Sequence, residues 1–242
     1  TTRGIPKEVV DRNKSTKDKV FIVKHGKVSP VICFNYFVGD DLVNVKCRTA
    51  DKQFTQAKGG AKVFYKLNDI EGESTVIITE GEMDALSYEV AGYKNAISVP
   101  EGGLGPDEKP VSKMKFLDNC AEYFENVTKI YLALDADTKG FGMRDELARR
   151  LGRHRCYIVH YPEDCKDANE VLLKHGKTEL VNSITTAEPY PIEGEVRVKD
   201  LKDEMAYLHK HGYPNGARTG WTEFDDHLKF HDSVLTVITG IP

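Results

Sequence analysis

No run of about 18 apolar residues occurs in the 242-residue sequence, so no segment of it suits a membrane-spanning helix. The opening residues lack the cationic-then-apolar pattern of a secretion signal, and Thr1 is no initiator, so the sequence reads as a segment of something longer. CxxC pairs are absent too. The five cysteines (Cys33, Cys47, Cys120, Cys156, Cys165) are odd in number and scattered, which argues against a zinc site and against a disulfide framework. A soluble, non-secreted protein of a reducing compartment is expected, and 40% hydrophobic residues suffice for a core in one or two domains.

Net charge is −4, but it is unevenly spread. Residues 1–70 hold 14 Lys and Arg against 7 Asp and Glu, while the remainder holds 20 against 31. A basic module therefore leads into an acidic one, a division that suits phosphate on one lobe and metal ions on the other.

Residues 3–19 are polar, with Val9 and Val10 the one apolar pair, and predict a brief helix or arm that adds little to a core. From Val20 the pattern is β: VFIV, PVICFNYFV and LVNVKCR are rich in β-branched and aromatic residues and separated by turns at His25-Gly26 and Gly39–Asp41. This predicts an antiparallel meander. Lys46 and Arg48, two apart, share a face of its last strand, and Lys52, Lys58 and Lys62 follow around Gly59-Gly60. Five cations with two glycines suit a polyphosphate or a nucleic-acid backbone.

From residue 76 the grammar becomes strand, helix, strand, helix. VIIT, AISVP, KIYLAL and CYIVHY are the strands; helices are expected after Gly81, around Met114–Phe124, through Arg144–Leu151 and in KDANEVLLKHG. Such alternation predicts a parallel sheet. The EGGLG segment, Glu101–Gly105, is glycine-rich enough for its amides to face an anion. Glu80 stands at the tip of the first strand, Asp135 and Asp137 at the tip of the third, and Asp167 just past the fourth. Strand C-termini of open α/β sheets line one edge, so these acids can converge on one or two magnesium ions, which take oxygen ligands. His160, near the same edge, reads as a satisfied histidine.

TEGEMD after one strand and LALDAD after another, with Gly140 downstream, resemble the TOPRIM domain of bacterial-type primases, topoisomerases and some nucleases. Lys166–Glu170 reads KDANE, and Lys46, Arg48, Lys52 and Phe54 follow the K-x-R, K-x-F series of a basic subdomain. Both are similar to the primase module of phage-type primase-helicases, relatives of the mitochondrial replicative helicase. The resemblance spans about residues 20–180. It implies a TOPRIM-like, mostly parallel sheet flanked by helices (α/β), preceded by a small basic antiparallel β subdomain and followed by a linker helix. The implied boundaries are 1–74 for the basic subdomain, 75–185 for TOPRIM, 186–212 for a linker with an amphipathic helix, and 213–242 for the start of a truncated RecA-like helicase domain. On that helix Val198, Leu201, Met205 and Leu208 form one stripe, and VLTVITGIP reads as a strand that would lead into a P-loop.

The resemblance further implies RNA primer synthesis on single-stranded DNA from ribonucleoside triphosphates. Glu80, Asp135 and Asp137 would be catalytic and, with Asp167, would hold Mg²⁺ or Mn²⁺; Lys46, Arg48, Lys52, Lys58 and Lys62 would hold nucleotide and template. No zinc is expected in this stretch, and the helicase ATPase part would lie elsewhere in the same parent chain. The parent is expected to be a ring oligomer and this stretch a monomer, in a bacterial, phage or organellar setting. Two other classes share these features: a catalytically idle DNA-binding or scaffold module of a ring helicase, and a TOPRIM nuclease or topoisomerase.

Overall fold

The computed structural model describes residues 3–102, 113–192, 194, 201–212, 216–225, 227, 230, 237 and 240. Two compact units divide between Ile192 and Glu193.

In the first unit a short helix, α1 (Lys7–Arg12), precedes four antiparallel strands in sequential order: β1 (Thr16–Ile22), β2 (Lys27–Val38), β3 (Asp41–Arg48) and β4 (Phe54–Gln56). This is the expected meander with one short strand added. The second sheet contains β5 (Thr75–Thr79), β6 (Ala96–Ser98), β7 (Lys129–Ala133), β8 (Cys156–Ile158) and β9 (Glu188–Pro189) in the order β6-β5-β7-β8-β9. Its first four strands pair in parallel and β9 closes the edge antiparallel. Between them run α2 (Glu82–Val90), α3 (Lys115–Asn119), α4 (Thr138–Leu151), α5 (Ala168–Lys174) and α6 (Lys177–Thr185). The mixed α/β class is as the sequence predicts.

Local chemistry accounts for these elements. In β5, Val76 to Thr79 are all buried, as suits a central parallel strand covered on both faces. Helix α4 starts where the Asp137 carboxylate accepts bonds from Lys139 N and Gly140 N, each 2.9 Å. Gly140 is required there, because a Cβ would lie 2.0 Å from the Asp135 carbonyl oxygen.

One apolar cluster unites both sheets, from Phe34 and Tyr36 of β2 through Phe64 and Tyr65 to Ile77, Ile78, Ile130 and Leu132. Tyr65 also bridges to Ser98, exchanging backbone bonds of 2.9 and 3.2 Å, so the connecting segment is stitched to the edge of the parallel sheet. Burial of each such side chain is worth about 1.5–3 kcal/mol.

Three expectations change. The stretch 3–19 gives more to the core than its polarity suggests, since Ile5 and Val9 join this cluster and β1 begins already at Thr16. Cys33 and Cys47 are bonded as a disulfide, although cysteine spacing argued against disulfides. They face each other across β2 and β3 with Cα atoms 4.1 Å apart, a closeness set by strand register and invisible in spacing. The expected helix over 114–124 is α3 followed by a separate 3₁₀ turn, Ala121–Phe124.

The second unit contains α7 (Lys202–His211) and α8 (Thr222–Asp225). Asp225 Oδ1 accepts from Thr219 N and Oγ1 at 2.6 and 2.7 Å, and Ala217 bridges Phe230. Helix α7 falls where an amphipathic helix is predicted, but Val198 of its stripe lies outside the described residues, as do Gly103–Gly105 and most of VLTVITGIP. No helix of the described residues is long and apolar enough to cross a membrane.

Candidate active site

Three strand ends deliver the acids. β5 finishes at Thr79, so Glu80 stands at its tip before α2 turns away at Gly81; a Cβ on Gly102 would sit 3.5 Å from Glu80 Oε1. β7 delivers Asp135 and Asp137, and the loop after β8 delivers Asp167. Ala136 N donates to Lys166 O at 2.8 Å, tying the DAD turn to the KDANE loop.

Glu80, Asp84, Asp135 and Asp167 line one cleft of about 500 Å³. Burial pushes the Asp135 carboxyl up to about 7, helped by the charges of Glu80 and Asp167 and opposed by Lys166. Asp84 is raised well above the usual carboxylate range, by burial first and then by Asp167 and Asp135. The like charges crowd without closing on one point. Among the described residues, no set of three from these acids brings its oxygens within 4.8 Å of one another. An open, oxygen-only donor set matches a cation that keeps several waters and completes its shell with substrate phosphates.

The acids are braced from behind. Asp167 caps α5, its Oδ1 accepting from Glu170 N at 2.8 Å. Asp84 Oδ1 accepts from Asn169 N at 2.9 Å, while the Asn169 amide donates to Ser87 Oγ and to Arg3 O, each 3.0 Å. Arg3 returns a bond to Asn169 Oδ1 at 3.1 Å. Asp137 differs from the others: it lies off the cleft, and both its capping bonds fall on Oδ1.

Facing the acids, β3, β4 and the turn between them present Lys46, Arg48, Lys52, Phe54 and Gln56 to the same cleft. Lys46 Nζ lies 2.6 Å from Glu82 Oε1 and donates to Pro100 O at 3.1 Å. The same Glu82 oxygen accepts from Tyr36 OH at 2.6 Å, so a buried tyrosine on the core side of β2 steadies the carboxylate that steadies the lysine. Lys46 and Arg48 both approach the Phe54 ring, at 5.3 and 5.4 Å from its centroid. Lys62 instead pairs with Glu101 at 2.6 Å, and Lys58 is exposed and outside the cleft.

Two acids of α2, Glu82 and Asp84, diverge. Glu82 turns to the basic sheet and Asp84 to the KDANE helix, two positions apart on one helix and hence on different sides. Tyr36 and Arg3 carried no local signal at all.

Residues 74–160 match the Toprim domain family. The chain is 39% identical over 254 residues to a Twinkle homolog protein, chloroplastic/mitochondrial, of Arabidopsis thaliana, covering 99% of this chain and 35% of the relative. It is 37% identical to a primase homolog protein of the same plant, covering 79% of this chain and 58% of the relative. The chain thus spans between about a third and three fifths of these relatives' length. Its fold superposes on the primase fragment of the bacteriophage T7 primase-helicase protein with a TM-score of 0.63 at 24% identity, over 76% of this chain and 72% of that one. The α/β sheet whose strand tips carry these acids thus coincides with a Toprim domain over residues 74–160, in a chain similar to a Twinkle homolog and a primase homolog.

Proposed function

We propose that this chain synthesises RNA primers, joining ribonucleoside triphosphates on single-stranded DNA. The observation that carries this reading is one cleft with crowded carboxylates on one wall and Lys46, Arg48, Lys52 and Phe54 on the other. Glu80, Asp135, Asp137 and Asp167 would hold Mg²⁺ or Mn²⁺, consistent with the oxygen-only donors and with the upward push on Asp135 that a cation would relieve. Bound there, the metal supplies activation of the primer hydroxyl and neutralisation of the leaving pyrophosphate.

The chain's own residues do the rest. Lys46, fixed by Glu82, and Arg48 and Lys52 beside it hold the triphosphate and the template phosphates, with Lys58 and Lys62 extending the basic path. The exposed Phe54 ring offers a stacking face for a base. Catalysis is then chiefly positioning and charge stabilisation, with no side-chain base required. One relative is named as chloroplastic/mitochondrial, and this chain would act in an organelle or a phage-like setting as the primase part of a longer, ring-forming primase-helicase.

The test is extension of a supplied short RNA on single-stranded DNA with labelled ribonucleotides and Mg²⁺ or Mn²⁺. Extension by the parent chain that disappears in Asp135→Asn and Glu80→Gln is the expected result. A folded chain that binds DNA but never extends the primer would replace this reading with that of a DNA-binding module.

A further inference from the structure

The loop between β8 and α5 carries a second cluster, outside the acid cleft. Cys165 N donates to Pro162 O at 2.8 Å, a tight turn, and His175 is the C-cap of α5 with its own N bonded to Val171 O at 2.8 Å. Loop and helix end therefore meet. His175 Nε2 lies 2.9 and 3.1 Å from the two Asp164 oxygens, and Cys165 Sγ lies 3.6 Å from Asp164 Oδ1. The three donor atoms all fall within 4.8 Å of one another, and among the described residues no other His, Cys, Asp and Glu group does this.

We propose that Asp164, Cys165 and His175 bind a zinc-type divalent transition metal, with water as the fourth ligand. Imidazole nitrogen, thiolate sulfur and carboxylate oxygen together are the donors such an ion takes, while magnesium would refuse the sulfur. Cys165 is buried and Asp164 and His175 are exposed, so the ion would enter from solvent and meet the sulfur on its inner side. The end of α5 favours a cation, since the last carbonyls point there. An opposing charge is Lys174, whose ammonium bonds to the Asp164 carbonyl and lies 3.9 Å from Asp164 Oδ2. It has an alternative partner in Glu170 Oε2, 3.8 Å away.

The site has a consequence for the cleft. Cys165 directly precedes Lys166, whose carbonyl holds the DAD turn, and Asp167, which lines the cleft. A metal on Cys165 would fix the start of that loop. The expectation of no zinc rested on missing CxxC pairs and had no view of a mixed set closed by a helix.

The proposal stands apart from the polymerase reading, because its readout is spectroscopic. The full chain, with the Cys33–Cys47 bond intact, is titrated with Co²⁺ while the near-ultraviolet sulfur-to-cobalt charge-transfer band is followed. A saturable band, one ion per chain and displaced by Zn²⁺, is expected. Cys165→Ser should abolish it, the exposed His175→Gln should weaken binding by more than roughly tenfold, and Lys174→Gln should tighten it. No band, a band that survives Cys165→Ser, or an affinity indifferent to His175→Gln in folded protein overturns the proposal.

Discussion

The two walls of the cleft hold charge in opposite ways. On the acid wall the carboxylates are short, mutually repelling and locked from behind by backbone amides, Asp167 on α5 and Asp84 on Asn169, with Asp137 capping α4 beside the cleft. On the basic wall the cations sit on long side chains over a sheet that still exposes Phe21, Val28, Ile32 and Phe54. Among the described residues of that wall, Lys46 is the one pinned by a carboxylate and a carbonyl, Glu82 and Pro100. The contrast shows where precision is needed. Under the proposed function, a small hard cation would demand fixed oxygens, whereas phosphates along a strand would accept adaptable partners.

The comparison is broken most severely at Gly140. A methyl group added there meets the Asp135 carbonyl at 2.0 Å, so Gly140→Ala should cost about 3 kcal/mol in urea unfolding and stop primer extension with every acid retained. If the substitution is tolerated, the acid wall is not rigid.

A second test asks whether the acids really repel. With a folded-state pKa of about 7 against an ordinary 3.8, Asp135 binds its proton more tightly when folded. Its ionisation therefore lowers stability progressively as pH rises from about 4 through about 7. In EDTA, Asp135→Asn should be more stable than the parent by roughly 2 kcal/mol at pH 8, the gain fading towards pH 4, and Mg²⁺ should erase it. Equal stabilities at both pH values would mean that the carboxylate is already compensated.

The pinned lysine supplies the third. Tyr36→Phe removes one bond to a buried carboxylate and should cost about 1.5 kcal/mol. In primer extension it should raise KM for ribonucleotide and leave kcat nearly unchanged, since the Glu82 anchor of Lys46 loosens while Lys46 keeps its charge. A fall in kcat alone would place Glu82 nearer the chemistry than the brace described here.

The smallest effect belongs to the adaptable wall. Phe54→Ala, at an exposed ring, should leave unfolding within about 0.5 kcal/mol of the parent yet weaken single-stranded DNA binding by about 1 kcal/mol, read by fluorescence anisotropy.

Much of this arrangement was legible because it repeats a period or sits at a boundary. VII and IYLAL are unbroken apolar runs that lead into acids, and the meander alternates between turns, so both sheets and the placement of Glu80, Asp135 and Asp167 follow from pattern. What escaped notice had no pattern to show. β4 and β9 have three and two residues, too short for alternation to register. Ile5 is a single apolar residue among polar neighbours, yet it is 2% exposed. Tyr36 reads as one more aromatic of a strand, and only the fold directs its hydroxyl to Glu82. Lys58 and Lys62 were grouped with Lys46 by sequence proximity, but the chain turns between them and Lys62 ends on Glu101. The Cys33–Cys47 pairing needed the register of two strands.

The bonds between Arg3 and Asn169 span 166 positions of sequence. During synthesis on a ribosome, the segment bearing Arg3 must therefore wait until the KDANE helix has emerged, because its partner does not yet exist. The basic sheet, whose contacts are local, can form long before. Assembly is thus ordered in time: the basic sheet comes first, and Asp167, on the opposite wall of the cleft, arrives last.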